Sequence, residues 1–214
     1  MKIVIVDDHA VVRQGYTSLL SSMVDNCSVS EAESGEELLS LYPRLLPDLV
    51  IMDVGLKSIS GIETTKRLLQ RFPQSNVLFF SMYDETPLVK KALESGARGY
   101  ISKNCRPEVL VDAVKKVMSG QFYVEHELAM KLAMNQVAHI DDKLRELTQR
   151  ELEIFIMLAK GLGSAEVADQ LCISSKTVAN HTTVIKSKLG VHTIAELVHL
   201  ALEGGLIRIG NQHH

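Results

Sequence analysis

The sequence predicts an α/β fold, a doubly wound five-stranded parallel sheet, joined to a C-terminal all-α domain with a helix-turn-helix. Three observations carry this. Five short apolar runs alternate with amphipathic stretches over about the first 120 residues, and that alternation means a parallel sheet covered by helices on both faces. The run Leu49–Met52 is apolar throughout and stops at Asp53, as a strand buried on both faces does. From residue 147 onward the apolar spacing is helical.

The elements follow in order. Lys2–Val6 is an apolar strand that ends in Asp7-Asp8. Val11, Val12, Gly15, Leu19, Leu20 and Met23 repeat at helical spacing. Residues 29–32 form a second strand. Ser34-Gly35-Glu36-Glu37 opens a helix containing Leu38, Leu39 and Leu41, which Pro43 and Pro47 are expected to end. The strand to Asp53 comes next. Ser60-Gly61 starts a helix with Ile62, Thr65, Leu68 and Leu69 on one face. Residues 77–80 form a strand ending in Ser81. Residues 87–95 are helical and stop at Gly96. Tyr100-Ile101 is a short strand running into Ser102-Lys103. Residues 107–119 are helical, with Pro107 in the first turn and Gly120 past the end. Residues 123–146 read as a linker, with a helix over 127–138 and a charged tether over 139–146.

Composition narrows the classes. A chain of 214 residues suits two domains. Residues 1–123 carry 14 Lys and Arg against 15 Asp and Glu, residues 124–146 carry 3 against 5, and residues 147–214 carry 6 of each. No region is broadly basic, so a nucleic-acid site has to be a local patch. No apolar run approaches the ~20 residues of a membrane span. The N-terminus enters a strand directly, without a signal-peptide pattern. No membrane insertion and a cytoplasmic location are therefore expected. Cys27, Cys105 and Cys172 are odd in number and widely spaced, which gives neither a disulfide framework nor a zinc motif.

The strand ends hold the chemistry. If the first and third strands are neighbours, Asp7, Asp8 and Asp53 converge where open α/β sheets place their ligands. Three converging carboxylates repel unless a cation sits among them, and oxygen-only ligands suit Mg2+. Asp53 can attack a phosphoryl group. Lys103 can pair with a phosphoryl oxygen and Ser81 can donate another hydrogen bond, which is the positioning and charge stabilisation that phosphoryl transfer needs. Taken singly, an Asp after a strand is also a common helix cap or turn residue.

In Asp7-Asp8, Asp53, Gly61, Ser81, Tyr100 and Lys103, residues 1–122 resemble a response-regulator receiver domain of the flavodoxin/CheY-like kind. The resemblance implies that Asp53 takes a phosphoryl group from a cognate histidine kinase. It implies that Mg2+ is held by Asp7, Asp8, Asp53 and the carbonyl of Gly55. It implies that Ser81 moves toward the phosphate while Tyr100 turns inward. Two positions depart from the family. Leu56-Lys57 replaces a usual Met-Pro, which removes a rigid turn and adds a cation. Asn104 stands where many receivers have Pro.

The second domain spans residues 147–210. Thr148 and Glu151 form a capping-box pattern ahead of Ile154, Phe155, Met157 and Leu158. A short helix over 164–171, a tight turn at Cys172-Ile173-Ser174 and a longer helix to Leu189 make a helix-turn-helix. Between Ser174 and Leu189 there are three lysines and no acid. Val178, Ile185 and Leu189 face inward, and the opposite face is polar. That face is either solvated or a reader of nucleic acid, in which Asn and Thr meet base edges and Lys holds phosphates.

The strings Leu-Thr-x-Arg-Glu at 147–151, Glu166-Val-Ala168, Lys176-Thr-Val178 and Lys188-Leu-Gly-Val191 resemble a LuxR-type DNA-binding domain. Together the two halves resemble NarL/FixJ-type two-component response regulators, and residues 81–133 look closest to UhpA-like members. The resemblance implies DNA contacts from Lys176, Thr177, Ala179, Asn180, Thr183, Lys186 and Lys188. It also implies a homodimer when phosphorylated, with Ile194, Leu197, Val198 and Ala201 on the dimer helix. Ala179 replaces a frequent Lys and Ile194 a frequent Arg. An enzyme is not expected, because Gly55 occupies the position where aspartyl phosphohydrolases carry a second Asp. The alternative is a phosphorylation-independent regulator, or a protein-interaction or phosphorelay module with weak DNA binding.

Overall fold

The computed structural model describes residues 1–134, 140–204 and 206–207, which form two compact units. The first holds a parallel sheet of β1 (Lys2–Val6), β2 (Ser28–Ala32), β3 (Leu49–Met52), β4 (Val77–Ser81), β5 (Gly99–Ser102) and β6 (Tyr123–Val124) in the order β2-β1-β3-β4-β5-β6. The connecting helices are α1 (Ala10–Met23), α2 (Gly35–Leu45), α3 (Gly61–Arg71), α4 (Thr86–Glu94) and α5 (Pro107–Met118). Strand side chains alternate between the two faces. Ile3, Ile5, Leu49, Ile51, Leu78, Phe80 and Ile101 pack with Leu20 of α1 and Leu110, Val114 and Val117 of α5. The intervening Val4, Val50, Met52 and Phe79 are equally buried. Both faces of these strands are thus dry, which explains their unbroken apolar runs. Each such Val, Leu, Ile or Phe contributes roughly 1.5–3 kcal/mol of burial.

The structure adds to the sequence reading in three places. A sixth strand, β6, extends the expected five-stranded sheet within the stretch read as linker, with Tyr123 N donating to Arg98 O at 3.0 Å. Gly99 permits this approach, because a Cβ there would lie 2.4 Å from the Tyr123 carbonyl oxygen. Two residues are too few to show any periodicity. Pro43 does not end α2 but sits inside its last turn. The stop falls at Leu46, whose left-handed backbone (φ 42°) lets its N–H reach Tyr42 O at 2.9 Å. The expected helix over 127–138 is His126–Met134 (α6), and residues 135–138 lie outside the described residues.

The second unit contains α7 (Ile140–Arg145), α8 (Gln149–Ala159), α9 (Ser164–Gln170), α10 (Ser175–Leu189) and α11 (Ile194–Glu203). The charged tether expected over 139–146 is thus mostly a short helix. Leu144 and Leu147 are buried, so two apolar anchors fix this stretch despite its charges. Of the expected span to 210, residues 205 and 208–210 lie outside the described residues. Thr148 accepts from Glu151 N and the Glu151 side chain returns a bond to Thr148 N, completing the expected capping box. The Ser174 and Thr193 hydroxyls cap α10 and α11 by accepting from Thr177 N and Glu196 N. Gly190 ends α10 in the left-handed conformation (φ 70°).

Candidate functional site

Strand register assembles the acidic site. Val6 pairs with Met52, so Asp7 and Asp53 leave adjacent strands side by side. The chain reverses its strand order between β1 and β3, which is the crevice position of open α/β sheets. Asp53 N donates to Val6 O at 2.9 Å, locking the two strand ends together. β4 and β5 pair at Ser81 and Ser102, and Lys103 N donates to Ser81 O at 2.8 Å. Lys103 therefore reaches back across the sheet edge.

Its ammonium lies 2.5 Å from Asp7 Oδ2 and 3.1 Å from Asp53 Oδ2. All three side chains are less than a tenth exposed. Burial alone favours the neutral amine, but Asp53 and Asp7 outweigh it and hold the Lys103 pKa above the usual lysine value. Burial is also the largest influence on Asp53 and pushes its pKa up. Lys103 opposes that shift, Asp7 adds to it, and hydrogen bonds from Lys103 and Ser81 lower it. Burial thus outweighs Lys103 at Asp53, and further positive charge beside that carboxylate is favoured.

The remaining donors and acceptors shape that preference. Asp53 Oδ1 accepts from Val54 N at 2.9 Å. Asp7 Oδ1 accepts from His9 N at 2.8 Å. Asp8 Oδ1 is buried with no hydrogen-bond donor, although His9 Nδ1 lies 2.8 Å away outside hydrogen-bonding geometry. Asp7, Asp8 and His9 offer ligand atoms within 4.8 Å of one another. A buried carboxylate oxygen without a donor, beside two more carboxylates, fits a hard divalent cation such as Mg2+. Gly55 belongs to the same corner, since a Cβ on it would lie 3.8 Å from Asp53 Oδ2.

Two residues were not singled out by the sequence. The ring of Tyr83 closes over Gly55, with Cε2 3.1 Å from where a Cβ would stand. His9 is the other. Tyr83 lies two residues beyond Ser81, and its N–H approaches Ser81 Oγ at 3.4 Å. Its backbone carbonyl accepts from Tyr100 Oη at 2.6 Å, while the Tyr100 ring stacks on Phe79 with centroids 5.9 Å apart. Tyr100 thus occupies an inward position here and ties the end of β5 to the loop after Ser81. Lys57 reaches Asp8 Oδ2 at 3.4 Å.

In the second unit, α9, a turn and α10 form the helix-turn-helix. Cys172 takes a left-handed conformation in the turn (φ 50°), and Ile173 N closes it on Ala168 O at 2.9 Å. Val178, Ile185 and Leu189 are buried as expected. Lys176, Ala179, Asn180 and Thr183 are exposed together, and Lys186 is half-buried. Thr177 is committed to the helix cap, its hydroxyl 2.8 Å from Ser174 Oγ. Thr183 Oγ1 donates to Ala179 O at 3.1 Å, which leaves its oxygen free only to accept.

Three assignments are corrected here. Lys188 is turned inward, with Nζ donating to Glu151 Oε2 at 2.6 Å and Glu146 O at 3.1 Å. It secures the start of α8 and does not join the exposed reader face. Leu197 and Ala201 are fully buried in α11, which packs on α8, so they cannot form a dimer surface. Ile194 remains exposed and Val198 half-buried. Arg150 adds a brace that the sequence did not announce. Its Nη2 donates to Leu171 O at 2.7 Å and its Nη1 pairs with the buried Glu153 at 3.1 Å.

The Glu151–Lys188 pair carries a pH prediction. Burial acts to raise the Glu151 pKa, but hydrogen bonds from Lys188 and Thr148 outweigh it and hold the carboxyl below its usual value. A depressed carboxyl stabilises the fold above its unfolded pKa and loses that contribution as pH falls through the folded one. Glu151→Gln is expected to cost about 1–3 kcal/mol at pH 7 and progressively less in acid. Urea unfolding of the full chain at several pH values measures this, and a pH-independent difference contradicts it.

Residues 3–115 match the family model for the response regulator receiver domain, and residues 145–201 match that for bacterial regulatory proteins of the luxR family. The chain belongs to the response regulators of NarL/FixJ type, in which a receiver domain is joined to a LuxR-type DNA-binding domain. It is 50% identical over 212 residues to the transcriptional activator protein ExaE of Pseudomonas putida, covering 98% of this chain and 99% of that one. It is 37% identical over 215 residues to the oxygen regulatory protein NreC of Staphylococcus aureus, covering 97% and 99%. Among solved structures, a LuxR-family two-component response regulator from Aurantimonas sp. SI85-9A1 matches with a TM-score of 0.62 at 33% identity, over 64% of this chain and 98% of that one. RcsB of Salmonella enterica serovar Typhimurium, bound to the promoter rprA with a phosphomimetic, shares the fold at a TM-score of 0.62 and 24% identity, over 94% and 97%.

Proposed function

We propose that Asp53 is the phosphoryl acceptor of this response regulator and that its phosphorylation controls DNA binding. The observation that carries this is the Asp53 carboxylate, buried at the switch point and held by Lys103 beside Asp7. An Asp53 oxygen attacks the phosphorus of a phosphohistidine on a cognate histidine kinase. The new O–P bond replaces the P–N bond, whose electron pair returns to the imidazole. Lys103 and Ser81 then face the added phosphoryl oxygens. Asp7, Asp8, Asp53 and the Gly55 carbonyl would hold Mg2+, which when bound supplies neutralising charge for the transferring group.

Residues 1–122 act as the receiver and 147–210 as the reader in this proposal. Lys176, Ala179, Asn180, Thr183 and Lys186 meet DNA, with Thr177 at its edge. Ile194 and Val198 supply the exposed part of a dimer contact that phosphorylation favours, on paired half-sites. The protein works in the cytoplasm as a regulator with no catalytic turnover of its own. The name of its ExaE relative supports transcriptional activation as the outcome.

The test compares wild type with Asp53→Asn for binding to duplexes selected from a random pool, with and without a small phosphodonor and Mg2+. The phosphodonor should tighten wild-type binding and leave Asp53→Asn unchanged. Equal affinities throughout would favour the second reading, a regulator that ignores phosphate, for which the 3.4 Å approach of Lys57 to Asp8 is the specific observation.

A further inference from the structure

We infer that Lys57 is a built-in counterion of the acidic site, one whose charge a divalent cation has to overcome beside Asp8, so that it sets the Mg2+ concentration at which the site loads. The inference rests on the proposed reading that Asp7, Asp8 and Asp53 hold Mg2+.

The cations near the site divide the carboxylates between them. Lys103 serves Asp7 and Asp53, at 2.5 and 3.1 Å. Lys57 approaches Asp8 instead, with Nζ 3.4 Å from Oδ2. His9 Nδ1 stands at the other Asp8 oxygen, 2.8 Å away. The Asp8 side chain is only 7% exposed, whereas that of Lys57 is 50% exposed. The carboxylate is therefore fixed in the site while the ammonium has one side in water.

The backbone aims the lysine. Leu56, one residue before it, is 2% exposed and anchors the loop. Ser58, one residue after it, holds a left-handed conformation (φ 60°) that side-chain-bearing residues adopt infrequently. Between a buried anchor and a turned residue, the backbone at Lys57 is held so that its side chain starts toward Asp8. Taken only as a half-exposed ion pair, it contributes little to stability. Its consequence is for a competing cation. An ammonium near a carboxylate cancels part of the charge a divalent ion needs, and two cations within a few ångströms repel. Because the lysine stem can swing into solvent, the metal displaces it and is not blocked by it.

Calorimetric titration of the full chain with MgCl2 at constant ionic strength tests this. Lys57→Met should lower the Mg2+ dissociation constant about two- to fivefold, the upper part of the range a half-exposed pair supports. Lys66→Met removes the same charge from an exposed position on α3 and should shift it less than twofold, about the limit for a screened distant charge. In a second measurement, the acylation rate of Lys57 by an N-hydroxysuccinimide ester, read by peptide mass spectrometry, should rise on adding Mg2+ while that of Lys66 stays constant. Binding in Lys57→Met but not in wild type would support the inference in its strongest form. Equal affinities for wild type and Lys57→Met, or an equal shift in Lys66→Met, would overturn it. Absence of Mg2+ binding in every variant would overturn the metal reading itself.

Discussion

Lys103→Met should slow phosphoryl transfer from a small phosphodonor to Asp53 by about 10²-fold or more, as removal of a preorganised charge from a buried site does. The lysine is the one cation placed against both Asp7 and Asp53 among the described residues. Without it, two buried carboxylates face each other across the end of the sheet, and the incoming phosphoryl group brings further negative charge. The same substitution should destabilise the receiver by about 3–5 kcal/mol at pH 7, because it breaks a buried pair and leaves charge uncompensated.

Acid should relieve part of that loss. Burial already raises the Asp53 pKa, and removing Lys103 takes away the main opposing influence. A carboxyl with a raised folded pKa favours the fold below its unfolded pKa and loses that contribution as pH rises through the folded one. The stability gap between wild type and Lys103→Met should therefore widen from pH 5 to pH 7. Acyl-phosphate formation followed by mass spectrometry, with urea unfolding at both pH values, reads the two effects. A variant that accepts phosphate within tenfold of the wild-type rate would remove Lys103 from the transfer step.

The strand ends that converge at Asp53 are legible because each closes a run whose apolar character is dictated by burial. Asp7, Asp53, Ser81 and Lys103 are where four dry strands meet water, and a parallel sheet puts those ends on one edge. Tyr83 and His9 lie just past such ends, where nothing in spacing distinguishes them from ordinary loop residues. The inward turn of Lys188 is not legible for a different reason. A helical wheel puts it on the polar face of α10, but its flexible stem reaches back to Glu151 on α8, a partner distant in sequence. Leu197 and Ala201 could not be divided from Ile194 and Val198 without knowing that α8 covers one side of α11. Periodicity reports that a face is buried, not what buries it. The strand β6 depends on a neighbour already in place, as does the helix over Ile140–Arg145.

Gly61 supplies the second large effect, through backbone and not charge. It opens α3 directly after the cap Ser60, and its N–H donates to Val54 O at 3.0 Å. A Cβ there would stand 1.9 Å from the Asp53 carbonyl oxygen and 2.9 Å from its carbonyl carbon. A main-chain carbonyl cannot swing aside as a side-chain tip can. Either the first turn of α3 lifts, losing the Gly61–Val54 bond and the Ser60 cap, or the Asp53 peptide rotates and carries its carboxylate off Lys103. Gly61→Ala is therefore expected to cost about 3 kcal/mol or more, at or beyond the upper end for overpacking, and to weaken phosphorylation in whatever fraction still folds. Gly15, inside α1, has open space where a Cβ would stand, with nothing within 4 Å, and Gly15→Ala should stabilise by about 0.5–1 kcal/mol through helix propensity alone. Urea unfolding of the two variants gives opposite signs on this account. If Gly61→Ala unfolds within about 1 kcal/mol of wild type, the size of an ordinary substitution, the close approach of α3 to Asp53 is not what holds the carboxylate in place.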